Sequence, residues 1–116
     1  MTKEYLQDFC MSLKGTTQDI KWGKDLCFCI GEKMYSVQGV EPDMHGASFK
    51  TTPEEFDHLI SRPGIIPAPY VARYHWVLVE NLDALSKSEW ENYLRISYEL
   101  VFQKLSKANQ KKALDG

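Results

Sequence analysis

The stretch Leu26-Cys27-Phe28-Cys29-Ile30-Gly31-Glu32-Lys33-Met34-Tyr35-Ser36-Val37 decides the fold. Two runs rich in apolar and aromatic residues flank Gly31-Glu32. Such runs suit pleated, half-buried strands. A glycine-led loop of two residues accepts the positive φ that tight hairpins require. Closing the hairpin there pairs Ile30 with Lys33, Phe28 with Tyr35 and Leu26 with Val37 on one face. Cys27, Cys29, Met34 and Ser36 then share the other. Neither face is strongly charged, so both are expected to be at least partly covered.

Working outward, Asp19-Ile20-Lys21-Trp22 is a short strand stopped by Gly23, and Gly46-Ala47-Ser48-Phe49-Lys50 is a weaker one beyond the turn-rich Glu41-Pro42-Asp43. His75-Trp76-Val77-Leu78-Val79-Glu80 reads as a buried strand. Before the sheet, residues 2–14 form a helix, with Tyr5, Leu6, Phe9, Cys10 and Leu13 on one face and Gly15 as its stop. Thr52-Pro53-Glu54-Glu55 is a helix start, with Thr52 as cap, Pro53 in the first helical position and Glu55 completing a capping box. That helix runs to about residue 61 and turns Phe56, Leu59 and Ile60 inward. The prolines in 65–70 exclude an interior strand there, because they lack the donors a ladder needs. Ser86-Lys87-Ser88-Glu89 is a second capping box opening a long helix, with Trp90, Tyr93, Leu94, Ser97, Val101 and Leu105 along one stripe. The order predicts an α+β fold: an antiparallel sheet of about five short strands packed against flanking helices. The expected organisation is one domain over 1–106 and a polar, basic tail over 107–116 that frays.

Composition bounds the function. The chain has 116 residues, with 14 Lys+Arg against 16 Asp+Glu, a formal net charge of −2. That length fits one domain. A slightly acidic total excludes bulk coating of nucleic acid but leaves room for a local basic face. No apolar run reaches the roughly 18–20 residues of a membrane helix, so no membrane association is expected. The start carries no apolar stretch of a signal peptide, and the three cysteines Cys10, Cys27 and Cys29 fit buried thiols in the cytoplasm.

The usual catalytic signatures are missing. Neither a phosphate-binding glycine loop nor a nucleophile elbow occurs. Cys27-Phe28-Cys29 has no second Cys/His pair at zinc spacing, so no metal is expected. Glu4 and Asp8 are too few carboxylates for a hard cation on the first helix. Glu54, Glu55 and Glu89 sit in first helical turns, where the macrodipole accounts for them. The chain is accordingly read as a protein without catalytic activity or cofactor.

Basic and aromatic residues interleave more suggestively. Lys21-Trp22-Gly23-Lys24 sets an indole between two ammonium groups beside a turn, and Arg73-Tyr74-His75-Trp76 repeats the theme. Lys33 falls at a hairpin tip and Lys50 at a strand end. Lysine and arginine supply phosphate contacts, and aromatic rings stack or wedge. Lys21, Trp22, Lys24, Lys33, Lys50 and Arg73 are therefore the candidate nucleic-acid contacts. Against this, Trp22 and Trp76 read first as core anchors, and lysines beside turns are usually solvated.

Blocks in the same order run through most of the chain: residues 21–28, then Gly31-Glu32-Lys33-Met34-Tyr35, Phe49-Lys50, Thr52-Pro53-Glu54-Glu55-Phe56, Pro63-Gly64-Ile65-Ile66-Pro67-Ala68-Pro69-Tyr70, Ala72-Arg73-Tyr74-His75-Trp76-Val77 and Ser97-Tyr98-Glu99-Leu100-Val101. In these the sequence resembles the MmcQ/YjbR family of small bacterial proteins. The resemblance implies an α+β fold, related in outline to frataxin-like and secretion-chaperone-like sheets. It also implies DNA binding through a double-wing arrangement, with no established reaction. The capped helix at 53–60 carries three acids and no Lys or Arg, so DNA contact would come from strand wings and loops. Opposing it is the acidic set Glu41, Asp43, Glu54, Glu55 and Asp57. The alternative is a protein-interaction or chaperone-like module, resting on the proline-rich 65–70 segment and the largely uncharged sheet face with Cys27, Cys29 and Met34, and it requires an exposed apolar patch. A third arrangement, a pocket made by Trp22, Arg73, Tyr74 and His75, requires those side chains to converge.

Overall fold

The computed structural model describes residues 1–40 and 45–115, so the acidic Glu41 and Asp43 lie outside the described residues. The chain runs α1 (Lys3–Ser12), β1 (Thr17–Lys21), β2 (Asp25–Ile30), β3 (Lys33–Gly39), β4 (Ala47–Lys50), α2 (Pro53–Ile60), β5 (Ile65–Pro67), a 3-10 turn (Ala72–Tyr74), β6 (Trp76–Val79), a second 3-10 turn (Leu82–Ala84), α3 (Lys87–Gln103) and α4 (Lys107–Asp115). The strands form one antiparallel sheet in the order β1-β2-β3-β4-β6-β5. The fold is α+β as expected, with β5 as a sixth strand. Its prolines are tolerated because β5 is an edge strand, paired only with β6.

One face of the sheet carries the core. Phe28 and Ile30 of β2, Phe49 of β4 and Val77 and Val79 of β6 pack with Leu6 and Cys10 of α1, Leu59 of α2 and Trp90, Leu94 and Val101 of α3. The capping signals act as the sequence suggests, with one exception. Ser86 and Glu89 close a complete capping box on α3. At α2, Thr52 accepts from the Glu55 N–H, but the Glu55 carboxylate takes a 2.6 Å hydrogen bond from the Tyr93 hydroxyl. Tyr93 is buried, and a buried phenol needs an acceptor.

The central hairpin departs from simple alternation. Ile30 faces Lys33 across the Gly31-Glu32 turn as expected, and both turn residues have positive φ (57° and 68°). A bulge then shifts the register: Phe28 faces Ser36 and Leu26 faces Gln38, while Tyr35 opposes no residue on β2. Ser36 and Gln38 consequently lie on the core face, where both are buried. Val37 moves to the opposite face with Cys27, the reverse of the expected placement. Tyr35 is held in the bulge at three points. Its hydroxyl meets the Thr16 hydroxyl at 2.9 Å and donates to the Cys10 carbonyl at 3.2 Å, and its own carbonyl accepts from the Ser97 hydroxyl at 2.6 Å. Ser97 Oγ also accepts the Lys50 N–H at 3.0 Å, which ties β3, β4 and α3 at one buried atom.

The C-terminal segment also differs from expectation: 107–115 is a helix, not a frayed tail. Ser106 Oγ accepts the Asn109 N–H at its start, and Gln110 Nε2 donates to the Phe102 and Leu105 carbonyls at the end of α3. Ala113 closes on Gly15, where any Cβ would stand 2.5 Å from the Ala113 carbonyl oxygen.

Two outcomes follow. Ser97→Ala leaves a buried carbonyl and a buried N–H without their partner, at about 1–3 kcal/mol each. Denaturant unfolding should show a loss of about 3 kcal/mol, and a loss below about 1 kcal/mol would contradict the assigned role of the hydroxyl. Glu89 is held down to about 2 from an ordinary 4.5, first by the hydrogen bond from Arg62 and then by the Ser86 N–H. A depressed carboxylate stabilises fully above its unfolded value and loses that stabilisation as pH falls through the folded one. Wild-type stability should therefore decline between about pH 4.5 and pH 2, and Glu89→Gln, weaker at neutral pH, should show a shallower decline in the same acid titration.

Candidate functional site

The six sequence-designated residues divide between two ends of the sheet. Lys21, Trp22 and Lys24 flank the β1–β2 turn, before β2 begins; Lys33 follows the β2–β3 turn, after β2 ends. The two turns are thus separated by the length of β2, about 20 Å at ~3.3 Å per residue. Lys21 stands opposite Asp25 across the ladder, and Asp19 lies two residues along the same face. At the other end, Lys50 Nζ donates to the Tyr74 carbonyl at 2.7 Å and lies 6.0 Å from the Tyr74 ring centroid, while the Arg73 guanidinium lies 4.8 Å from it. Burial lowers the Lys50 pKa, and the charge of Lys104 adds to the effect. Lys33, Lys50, Arg73 and Lys104 thus gather near one end of the sheet, apart from Lys21 and Lys24.

Trp22, Arg73, Tyr74 and His75 do not converge. Tyr74 stacks with its cationic neighbours, and His75 packs edge-on to Phe56 of α2, with ring centroids 5.6 Å apart. Trp76 is a buried anchor, 8% exposed, but Trp22 is not: it is 69% exposed.

The face of the sheet away from the core, the largely uncharged face of Cys27, Cys29 and Met34, is where the alternative module requires an apolar patch. A cleft of about 860 Å3 lies over the central strands. Its floor is Met34 and Val37 of β3, Ser48 of β4 and Trp76 and Leu78 of β6, and no helical residue lines it among the described residues. Trp22 and Tyr70 line it from two turns, and Lys24, Asp25 and Glu80 supply its charges. Tyr70 is 99% exposed. Below the β1–β2 side, Cys27 and Cys29 are buried on this same face, and burial pushes the Cys27 thiol up to about 11.

Both aromatic residues occupy backbone that disfavours them. Trp22 (φ 55°) and Gly23 (φ 72°) form the β1–β2 turn, closed by the Lys24 N–H to the Lys21 carbonyl. Two successive positive φ values are the pattern that Asn-Gly fills in type I′ turns. Tyr70 (φ 69°) follows Pro69, in the place where a proline-led turn usually has glycine. The signal was in the sequence: bulky rings where Asn or Gly belong.

A small antiparallel sheet, with its helices on one face and an open cleft on the other, places the molecule among single-domain α+β proteins. The chain belongs to the YjbR family, whose model matches residues 11–100. Over 97% of its length it is similar to a Deinococcus radiodurans protein, DR2400, with the domain designated DUF419 (26% identity, TM-score 0.83, 87% of that chain covered). A Pseudomonas syringae protein solved as a structural-genomics target shares the fold at 23% identity and TM-score 0.71, covering 87% of this chain and 99% of its own. No curated protein matches this chain significantly.

Left-handed backbone costs a non-glycine residue about 1–2 kcal/mol, less for asparagine. Trp22→Asn should therefore raise the thermal midpoint, by the equivalent of about 1 kcal/mol. A lower midpoint would mean that the indole contributes to the fold.

Proposed function

We propose that this chain is a binding module whose working surface is the cleft on the face of the sheet opposite the helices, and that it takes an apolar group there. The observation that carries this reading is the lining. Met34, Val37, Trp76 and Leu78 floor a cleft of about 860 Å3, within the size range of ligand sites. Soluble proteins bury such surface unless something binds it. The charges at the rim are mixed, with Lys24 beside Asp25 and Glu80, which suits a polar border and not a phosphate track. The test is a titration with Nile red. Fluorescence should rise saturably with the native protein, and Leu78→Lys, which places an ammonium in the cleft floor, should cut the rise at least fivefold. An undiminished rise in that variant would refute the assignment.

A second reading, DNA binding, draws support from a different place. Lys33, Lys50, Arg73 and Lys104 gather near one end of the sheet, and the family resemblance points to DNA contact through wings. Contact there should weaken steeply with salt, because each phosphate contact releases counterions. Lys33→Glu and Arg73→Glu should abolish binding to a random duplex at low ionic strength, while Leu78→Lys leaves it unchanged. A flat titration of the unaltered protein at low salt would dismiss this reading.

A further inference from the structure

The last helix stands at one end of the sheet, and cations collect there from across the chain. At this end β1 begins, β2 turns into β3, β4 stops and β6 starts, as the pairs Thr17 with Cys29, Ser36 with Phe49 and Lys50 with Trp76 require. Lys33 follows the β2–β3 turn, Lys50 closes β4 and Arg73 precedes β6. Two close approaches bring α4 to the same place. A Cβ at Gly31 would stand 2.5 Å from Leu105 Cδ1, and one at Gly15 would stand 2.5 Å from the Ala113 carbonyl oxygen. The β2–β3 turn therefore abuts the α3–α4 connection, and the α1–β1 connection, with Lys14, abuts the last turns of α4. Burial and then the charge of Lys104 lower the Lys50 pKa, which places Lys104 beside Lys50. On α4 itself, Lys107, Lys111 and Lys112 are all exposed.

Nothing in the fold neutralises this row. Among the described residues the ion pairs are Met1 with Asp83 and Arg62 with Glu89, and none of these cations enters one. The acids nearby are Glu32 in the turn, Glu54 at the start of α2, Glu99 on α3 and Asp115 at the end of α4, fewer than the cations they face. The row crosses the sheet from β1 to β6 in the order β1-β2-β3-β4-β6, about 19 Å at ~4.8 Å per strand spacing. Duplex DNA carries one phosphate charge per about 1.7 Å of axis, so that length meets about eleven of them. Lysine is a point charge without the planar fork that reads a base edge, and the one such fork in the row, Arg73, is already stacked on Tyr74. Between its lysines α4 exposes Ala108 and Asn109, with no large apolar side chain to enter a lipid surface. We infer that α4 and the cations beside it form a contact surface for the phosphate backbone of duplex DNA, indifferent to base sequence. This rests on the second reading above, and moves its centre from the hairpin wings to a helix outside the matched residues 11–100.

Fluorescence anisotropy of the whole chain with a labelled random duplex, over a salt series of about 50 to 200 mM, tests this. Each phosphate contact adds about −0.9 to the slope of log K against log salt. The triple variant Lys107→Gln, Lys111→Gln, Lys112→Gln should therefore flatten the slope by about 2–3 and weaken binding at least tenfold at the lowest salt. Glutamine matches lysine in helix propensity, so α4 persists, and the triple arginine variant should bind as the native chain does. Lys87→Gln with Arg95→Gln, which removes charge on α3 beside Tyr5 and Phe9, should change affinity less than twofold. A duplex of unrelated sequence should bind within threefold, and a preference above tenfold would overturn the backbone assignment. An unchanged slope in the glutamine variant would overturn the role of α4 and leave contact at Lys33 and Arg73 standing. Equal weakening by the α3 pair would reduce the effect to net charge and overturn the surface. Tighter attachment to phosphatidylserine vesicles than to duplex, at equal phosphate, would overturn the nucleic-acid assignment in favour of lipid. No binding of the native chain at the lowest salt would overturn both the role of α4 and the reading beneath it.

Discussion

The Ser97 hydroxyl is the point on which the arrangement of the sheet turns. A β-bulge leaves one residue without a partner in the ladder, and buried backbone polar groups must be paired. Ser97 pairs the Tyr35 carbonyl and in the same step takes the N–H of Lys50 at the end of β4. The Tyr35 hydroxyl reaches the opposite way, to the Cys10 carbonyl of α1. One irregular residue therefore joins both long helices to two central strands. The effect on the other face is larger than the contact itself. Beyond the bulge every residue of β3 exchanges sides, so Ser36 and Gln38 go under the helices and Val37 goes to the cleft. Without that exchange the core would hold Val37, and the cleft floor would hold a serine in its place.

This explains why the hairpin and its uncharged second face were legible in sequence and the full floor of the cleft was not. Apolar runs about a glycine-led turn give strand existence, direction and the first pair, Ile30 with Lys33. Strict alternation carries no mark for an inserted residue, so the faces past Tyr35 came out reversed. The helices were legible because their starts are written chemically, in Thr52-Pro53 and in Ser86 with Glu89. Glu55 left its expected bond because Tyr93, thirty-eight positions away, needed an acceptor, and no local pattern records that. The last helix is illegible for the opposite reason. Its Lys-rich surface hides Ser106 as a cap and gives no sign that the Ala113 carbonyl closes on Gly15, where a Cβ would not fit.

The charges tell a similar story of distribution over total. A net charge of −2 says nothing of where the charges fall, and Lys50, Arg73 and Lys104 come close together around Tyr74. Membership of that group follows from topology, not from sequence spacing. Lys50 and Arg73 meet on the Tyr74 ring although a helix and a strand separate them in the chain. Lys21 and Lys24, which look equivalent in sequence, fall beyond the other end of β2, in the company of Asp19 and Asp25.

An open apolar cleft beside two sheet edges is also a hazard, and the way the fold contains it bears on why Trp22 and Tyr70 stand where they do. The β1 edge is exposed and mostly polar, with Gln18, Asp19 and Lys21 around the exposed Ile20, and the β5 edge is three residues long and ends in Pro67. Both edges resist pairing with another chain. The cleft adds a further apolar surface to the exposed side chains of Met11, Ile20 and Val40. Two large rings on flexible loops would fall into it and fill it, which is the outcome hydrophobic burial favours. Here they are carried on tight turns at positive φ, whose geometry fixes the direction in which each side chain leaves the backbone. Asn or Gly at either position would make an easier turn but leave no ring at the rim. The backbone strain at Trp22 and Tyr70 is thus best understood as the cost of holding two aromatic faces beside a cleft they do not close.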